Sequence, residues 1–190
     1  MNEQTGNPAP RHDLKWFWKE WGGVAMTLLA VLIVFKVIFE LSWVPSGSME
    51  TTIPTKSLQI CWRLPYLFGD PTPKRGQILT FRSDERDEIM VKRVIGLPGE
   101  TVSFADGLVY VDGALLDESY LDEQFGYTFS ERAFTVPEGC VFFMGDNRTG
   151  SFDARYWNEP YIPFTKLNSK VLVTISIGGD HSWQGIRLAH

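Results

Sequence analysis

The feature that most constrains this chain is the run GGVAMTLLAVLIVF at residues 22–35, which carries no charge. A bilayer-spanning helix needs about 20 predominantly apolar residues. With the VIF and LSWV that follow Lys36, the segment 22–42 supplies that length. Lys36 and Glu40 then fall near the outer interface, where an (i, i+4) pair on one helix face lets the lysine stem lie along apolar surface and its ammonium reach the headgroups. Trp16, Phe17, Trp18 and Trp43 suit interfacial belts. Residues 22–42 are therefore expected to form a transmembrane signal anchor, between a tail at 1–21 and a domain at 43–190. Arg11, Lys15 and Lys19 precede the span, against Lys56 and Arg63 beyond it. That bias predicts a cytoplasmic tail and an extracytoplasmic domain, in the cell membrane. A buried core helix is the competing reading. A cleavable signal peptide fits less well, because no small-residue cleavage pattern follows the run.

With 190 residues and 44% hydrophobic content, the chain has room for one anchor and one compact domain with its own core. A net charge of −5 without any lysine or arginine run argues against nucleic acid as a partner. Cys61 and Cys140 are far apart, with no CxxC spacing and no nearby histidine pair, so no metal is expected. Two buried thiols and a disulfide both remain open for them.

Beyond Trp43 the sequence is a series of short apolar stretches punctuated by Gly, Pro and Asp, without helical periodicity. This predicts a mainly β fold with antiparallel strands, in coiled sheets or a partly open barrel. Candidate strands are SLQICW, GQILTF, IMVKRVIG, TVSF, LVYV, CVFFMG and KVLVTISI. Asp106-Gly107 and Asp112-Gly113 are hairpin turn signals. The charged segment 117–132 reads as a loop or insertion. The run CWRLPYLFG at 61–69 reads as strand plus turn, with a surface dipping into lipid as the alternative.

Three elements carry chemistry. In VPSGSM at 44–49, Pro45 and Gly47 force a turn that presents a serine hydroxyl. In MVKRVIGLPGE at 90–100, Lys92 interrupts a strand-like run, sharing a face with Met90 and Val94 while Arg93 shares the other with Val91. One of the two should point inward. An ordinary lysine is under about 1% neutral at pH 8, so only burial, which lowers its pKa, makes it a base. In MGDNRTGSFDARYW at 144–157, Asp146, Arg148, Asp153 and Arg155 are placed to form an ion-paired network around Ser151. A histidine base is poorly supported. His12 falls in the tail, His190 is the last residue, and His181 sits in a Gly-rich segment.

The order of these boxes, SGSM then KR then GDNR, together with IGLPGE, LVYVDG and VPEGCVFFMGDNR, resembles the bacterial type I signal peptidases over essentially the whole chain. The resemblance implies a membrane-bound endopeptidase that removes signal peptides from secretory preproteins after Ala-x-Ala sites, without a cofactor or an obligate protein partner. It implies Ser48 as nucleophile, Lys92 as general base, and Ser151 as the residue that hydrogen-bonds and orients that lysine. The Ser48 N–H and the Ser46 hydroxyl match oxyanion donors, and Asp153 with Arg155 a supporting ion pair. Val44, Pro45, Met49, Ile53, Met90 and Val91 fall where the family shapes shallow apolar pockets. Thr51 and Asn158 depart from the usual proline and glycine, Glu100 from aspartate, and Ala154 from serine. A self-cleaving Ser-Lys protease of the SOS-repressor kind and an inactive peptide-binding β-domain are the competing readings.

Overall fold

The computed structural model describes residues 14–50, 52–68, 71–177 and 183–189. His12, His181, His190, Arg11 and Thr51 lie outside the described residues. The chain divides into two compact units, Met1–Val37 and Ile38–His190.

In the first unit, helix α1 (Leu14–Ile38) starts earlier and stops sooner than the sequence suggests. Residues 15–38 are long and apolar enough to cross a membrane, and Leu28, Leu32 and their neighbours turn their side chains outward. The last residues of the expected span instead open strand β1 (Phe39–Val44). Glu40 therefore does not pair with Lys36 along a helix. It lies on β1 and accepts hydrogen bonds from Asn168 Nδ2 at 2.6 Å and Ser169 Oγ at 3.1 Å.

The second unit is mainly β and antiparallel throughout. β2 (Ser57–Trp62), β3 (Ile78–Ser83), β4 (Glu88–Gly96), β5 (Thr101–Ala105) and β6 (Leu108–Val111) lead to the two-residue β7 (Ala114–Leu115) and β8 (Phe134–Thr135). β9 (Cys140–Met144), β10 (Tyr161–Pro163), β11 (Leu167–Ile177) and β12 (Trp183–Leu188) follow. One sheet runs β1-β2-β11-β3-β4-β9-β10 with β12 also on β11, and a smaller one runs β7-β6-β5-β8. All seven expected strands are present. The β5–β6 and β6–β7 turns carry the positive φ at Asp106, Gly107, Asp112 and Gly113 that such two-residue turns require. The segment 117–132 is irregular apart from one short helix, Glu123–Gly126, and residues 61–69 are the end of β2 followed by the short helix Leu64–Phe68. Both cysteines are free thiols, Cys61 buried and Cys140 partly so.

Two hydrophobic cores organise this unit. The larger lies where the two sheets meet, with Phe81 stacked on Phe143 at 4.3 Å and Trp157 tilted against Phe81. The smaller gathers Val44, Met49, Ile53, Cys61, Ile78 and Val171. Gly96 marks the passage from the large sheet to the small one, at a register shift between β4 and β9. A Cβ there would stand 2.8 Å from methyl groups of Val102 and Val136. The Gly96→Ala variant should lose about 1–3 kcal/mol of stability to this overpacking, measured by urea denaturation in detergent. An unchanged midpoint would show that the two sheets do not meet as closely as the structure places them.

Candidate active site

Strand β1 ends at Val44, and the chain turns through Pro45, Ser46 and Gly47 to Ser48. Backbone bonds close the turn, Glu50 N to Gly47 O at 3.2 Å, Ile53 N to Met49 O at 2.8 Å and Lys56 N to Val44 O at 2.9 Å. The Glu50 carboxylate accepts from both Thr55 N and Thr55 Oγ1. Met49 and Ile53 are fully buried and plug the turn into the smaller core. The half-buried Ser48 is left with its hydroxyl 2.5 Å from Lys92 Nζ and 3.5 Å from the exposed Ser46 hydroxyl.

Lys92 reaches Ser48 from the middle of β4, opposite Leu79 on β3. Only 2% of it is exposed. Burial lowers its pKa from 10.5 to about 8, against the opposing pull of Asp153 and then Asp146. Arg93, on the other face of β4, is equally buried. The expectation that only one of the two points inward is corrected, because β4 is covered on both faces.

Each carboxylate near Lys92 is held by an arginine. Asp146 takes a two-pronged bond from Arg93, Nε to Oδ1 at 2.9 Å and Nη2 to Oδ2 at 2.7 Å. Asp153 takes another from Arg155, at 2.8 and 2.9 Å, and also accepts from Gly145 N at 2.9 Å. Within the 144–157 loop Asp153 pairs with Arg155, whereas Asp146 and Arg148 are not partners. Arg148 is bound by Glu118 through both terminal guanidinium nitrogens, and also donates to Thr128 Oγ1 and Tyr120 Oη. Tyr120 in turn lays its ring over Arg93, whose Cζ is 3.9 Å from the centroid. The segment 117–132, read from sequence as a loop or insertion, thus secures both arginines.

Ser151 is buried beside this network, yet its hydroxyl has no hydrogen-bond partner among the described residues. The hydrogen bond to Lys92 that the resemblance implies is not made. Ser151 and the Ser48 carbonyl both crowd Gly145, where any Cβ would overlap them. Sequence reasoning also passed over Asn147. Its N–H donates to Ser48 O at 3.2 Å and its Nδ2 to Gly47 O at 3.0 Å, tying the serine turn to the 144–157 loop. Its place between Asp146 and Arg148 was the available signal. Asn158 binds Glu85 in the β3–β4 turn, through Nδ2 at 2.9 Å.

A groove of about 420 Å³ opens over the Ser48–Lys92 pair. Val44, Pro45, Met90 and Val91 line it, whereas Met49 and Ile53 belong to the core and do not. Its walls come from β1 and β4, with three strands between them in the sheet order, so the sheet must curl to bring them face to face. Chemically the arrangement offers a nucleophilic hydroxyl, a lysine poised to lose its proton just above neutral pH, and an open cleft for an extended chain.

The lysine's burial has a consequence for stability. Between pH 8 and 10.5 the unfolded state binds more protons than the folded one, so the Lys92 contribution to stability rises across that window and its full penalty is felt below it. Lys92→Met should therefore raise the unfolding free energy at pH 7 by on the order of 3 kcal/mol, with the gain fading towards pH 10.5. Denaturant titrations at several pH values measure this, and a variant destabilised at pH 7 would show that the lysine is charged and well paired.

A family model described as signal peptidase, peptidase S26, matches residues 18–175. A probable signal peptidase I-2 of Synechocystis sp. is 32% identical over 163 residues, covering 82% of this chain and 72% of that protein. A signal peptidase I of Bacillus caldolyticus is 32% identical over 169 residues, covering 83% and 85%. A solved signal peptidase I from Enterococcus faecalis is 32% identical, covering 53% of this chain and 97% of that one, with a TM-score of 0.44.

Proposed function

We propose a catalytic cycle run by Ser48 and Lys92, on the premise that this chain belongs to the signal peptidase family, peptidase S26. It is a serine endopeptidase that removes signal peptides from preproteins. The observation that carries the assignment is the 2.5 Å approach of a buried, pKa-lowered lysine to a hydroxyl at the mouth of the groove.

The neutral Lys92 amine takes the Ser48 proton as Oγ attacks the scissile carbonyl. The oxyanion that forms is stabilised by the Ser48 N–H and the Ser46 hydroxyl. Collapse breaks the peptide bond, the lysine proton passes to the leaving amine, and the signal peptide stays esterified to Ser48. Lys92, neutral again, then deprotonates a water that attacks the ester and releases the signal peptide and the free hydroxyl. Asp153–Arg155, Asp146–Arg93 and Arg148–Glu118 hold the frame around this pair, and Ser151 orients the lysine when substrate excludes water from the groove.

Helix α1 is the membrane anchor in this reading, in place of the segment 22–42, with its N-terminal end cytoplasmic and the β unit extracytoplasmic. Lys15 and Lys19 at its start support that orientation. Ser48 follows α1 by only ten positions, so cleavage is confined close to the membrane surface where a signal peptide's own apolar helix ends.

In detergent, with a preprotein carrying an Ala-x-Ala site, Ser48→Ala and Lys92→Met should each lower kcat by roughly a thousandfold or more. The wild-type kcat/KM should climb with pH and level off above about 8, as the lysine loses its proton. Near-full activity in either variant, or a flat profile from pH 6 to 10, would remove the dyad assignment.

A further inference from the structure

A second cavity, of about 660 Å³, opens beside the last residues of β4 and shares no lining residue with the groove over Ser48. Lys74, Arg75, Arg93 and Lys170 line it, against a single carboxylate, Asp117. Positive charge thus gathers here in a chain whose net charge is −5. The two arginines are matched, Arg93 by Asp146 and Arg75 by Glu100. Elsewhere Arg148, Arg155 and Lys166 each reach a carboxylate too. The ammonium groups of Lys74 and Lys170 have no ion-pair or hydrogen-bond partner among the described residues. Asp117 turns instead to the backbone, its Oδ1 accepting from Ser119 N at 3.1 Å.

The turn that carries Lys74 is tied down on several sides. Gly76 N donates to Val94 O and Val94 N to Gln77 O, each at 2.9 Å. Lys74 N donates to Gln77 Oε1 at 3.0 Å, and Arg93 Nη1 to Gly76 O at 2.8 Å. Lys170 is half-buried and projects from β11, opposite Leu79 on β3. Ile78, Val94 and Ile95, all buried, give the cavity an apolar side. A concavity whose backbone is already in place binds without the cost of ordering it. Its volume falls within the range of small-molecule sites, about 300–1,000 Å³.

Two unmatched ammonium groups on one cavity call for a ligand with more than one negative charge. A phosphate monoester carries about −1.5 to −2 charges near pH 7 and three terminal acceptor oxygens, enough to engage both lysines together. Lysine meets phosphate as a point charge, without the planar geometry that arginine imposes. A carboxylate, with its one charge, neutralises only one of the two. We infer that this cavity is a binding site for an organic phosphate monoester, its phosphate between Lys74 and Lys170 and its organic body against Ile78 and Val94. A soluble phosphate ester and the headgroup of phosphatidic acid offer the same chemistry. Ser48 and Lys92 take no part in it, so the site stands apart from the catalytic assignment.

Glycerol 3-phosphate is the first probe, titrated against the full chain in phosphatidylcholine nanodiscs and followed by phosphorus-31 NMR. Binding should saturate with a Kd below about 1 mM. Lys74→Gln and Lys170→Gln should each weaken it by about tenfold. Lys56→Gln, which removes an exposed lysine outside the cavity, should leave it unchanged. Preprotein cleavage at the wild-type rate shows that each variant is folded. Blending phosphatidic acid into the nanodiscs separates the two sources, with phosphatidylglycerol, an anionic diester, as the control for surface charge. Binding lost with phosphatidic acid alone marks a lipid headgroup in the cavity, and binding kept marks a soluble ester. No saturable binding by wild type, or binding that both cavity variants keep, overturns the inference.

Discussion

Desolvation of one ammonium group is the constraint on which the catalytic unit depends. In the proposed cycle Lys92 works as a base only if water is kept away from it, and two carboxylates nearby, Asp153 and Asp146, pull its pKa back up. Both are tied in two-pronged bonds to buried arginines, Arg155 and Arg93. A guanidinium in that position offsets most of the negative potential its carboxylate would exert on the lysine. The arginines thus serve the lysine as much as they serve the fold. They are anchored in turn from elsewhere, Arg93 by the Gly76 carbonyl and the Tyr120 ring, Arg155 by the Arg148 carbonyl.

This arrangement explains why the unit needs a curled sheet with cores on both sides of β4. A sheet with one wet face would hydrate either Lys92 or Arg93. The larger core with its stacked Phe81–Phe143 pair covers one face and the smaller core the other, and Ser48 closes over the Lys92 ammonium, which leaves neither exposed. Met49 and Ile53 are part of that cover. Their burial fixes the turn that carries Ser48, and Asn147 locks the same turn to the loop beyond β9. Helix α1 follows the opposite rule, turning leucine and valine side chains outward along its length, as suits a lipid environment.

Much of this was legible in the chain. Alternating apolar stretches gave seven strands, Asp-Gly pairs gave two hairpins, and the serine and lysine boxes gave the two residues that meet at 2.5 Å. What was not legible depended on distance or context. β1 continues an apolar run without any break, so nothing local separates FELSWV from the helix before it. The partner of Arg148 lies 30 residues upstream in a segment whose composition reads as surface loop. Asp146 and Arg148, close in sequence, point to different partners because the loop between them turns.

The lysine's own titration tests the central claim most directly. With the lysine side chains carbon-13 labelled at Cε, the full chain in detergent can be followed by NMR from pH 6 to 11, and Lys92 assigned by the signal missing in Lys92→Met. The account predicts a single lysine titrating near pH 8, well below the rest. A Lys92 signal that stays charged above pH 10 would mean the ammonium is solvated or paired, and the base would have to be sought elsewhere.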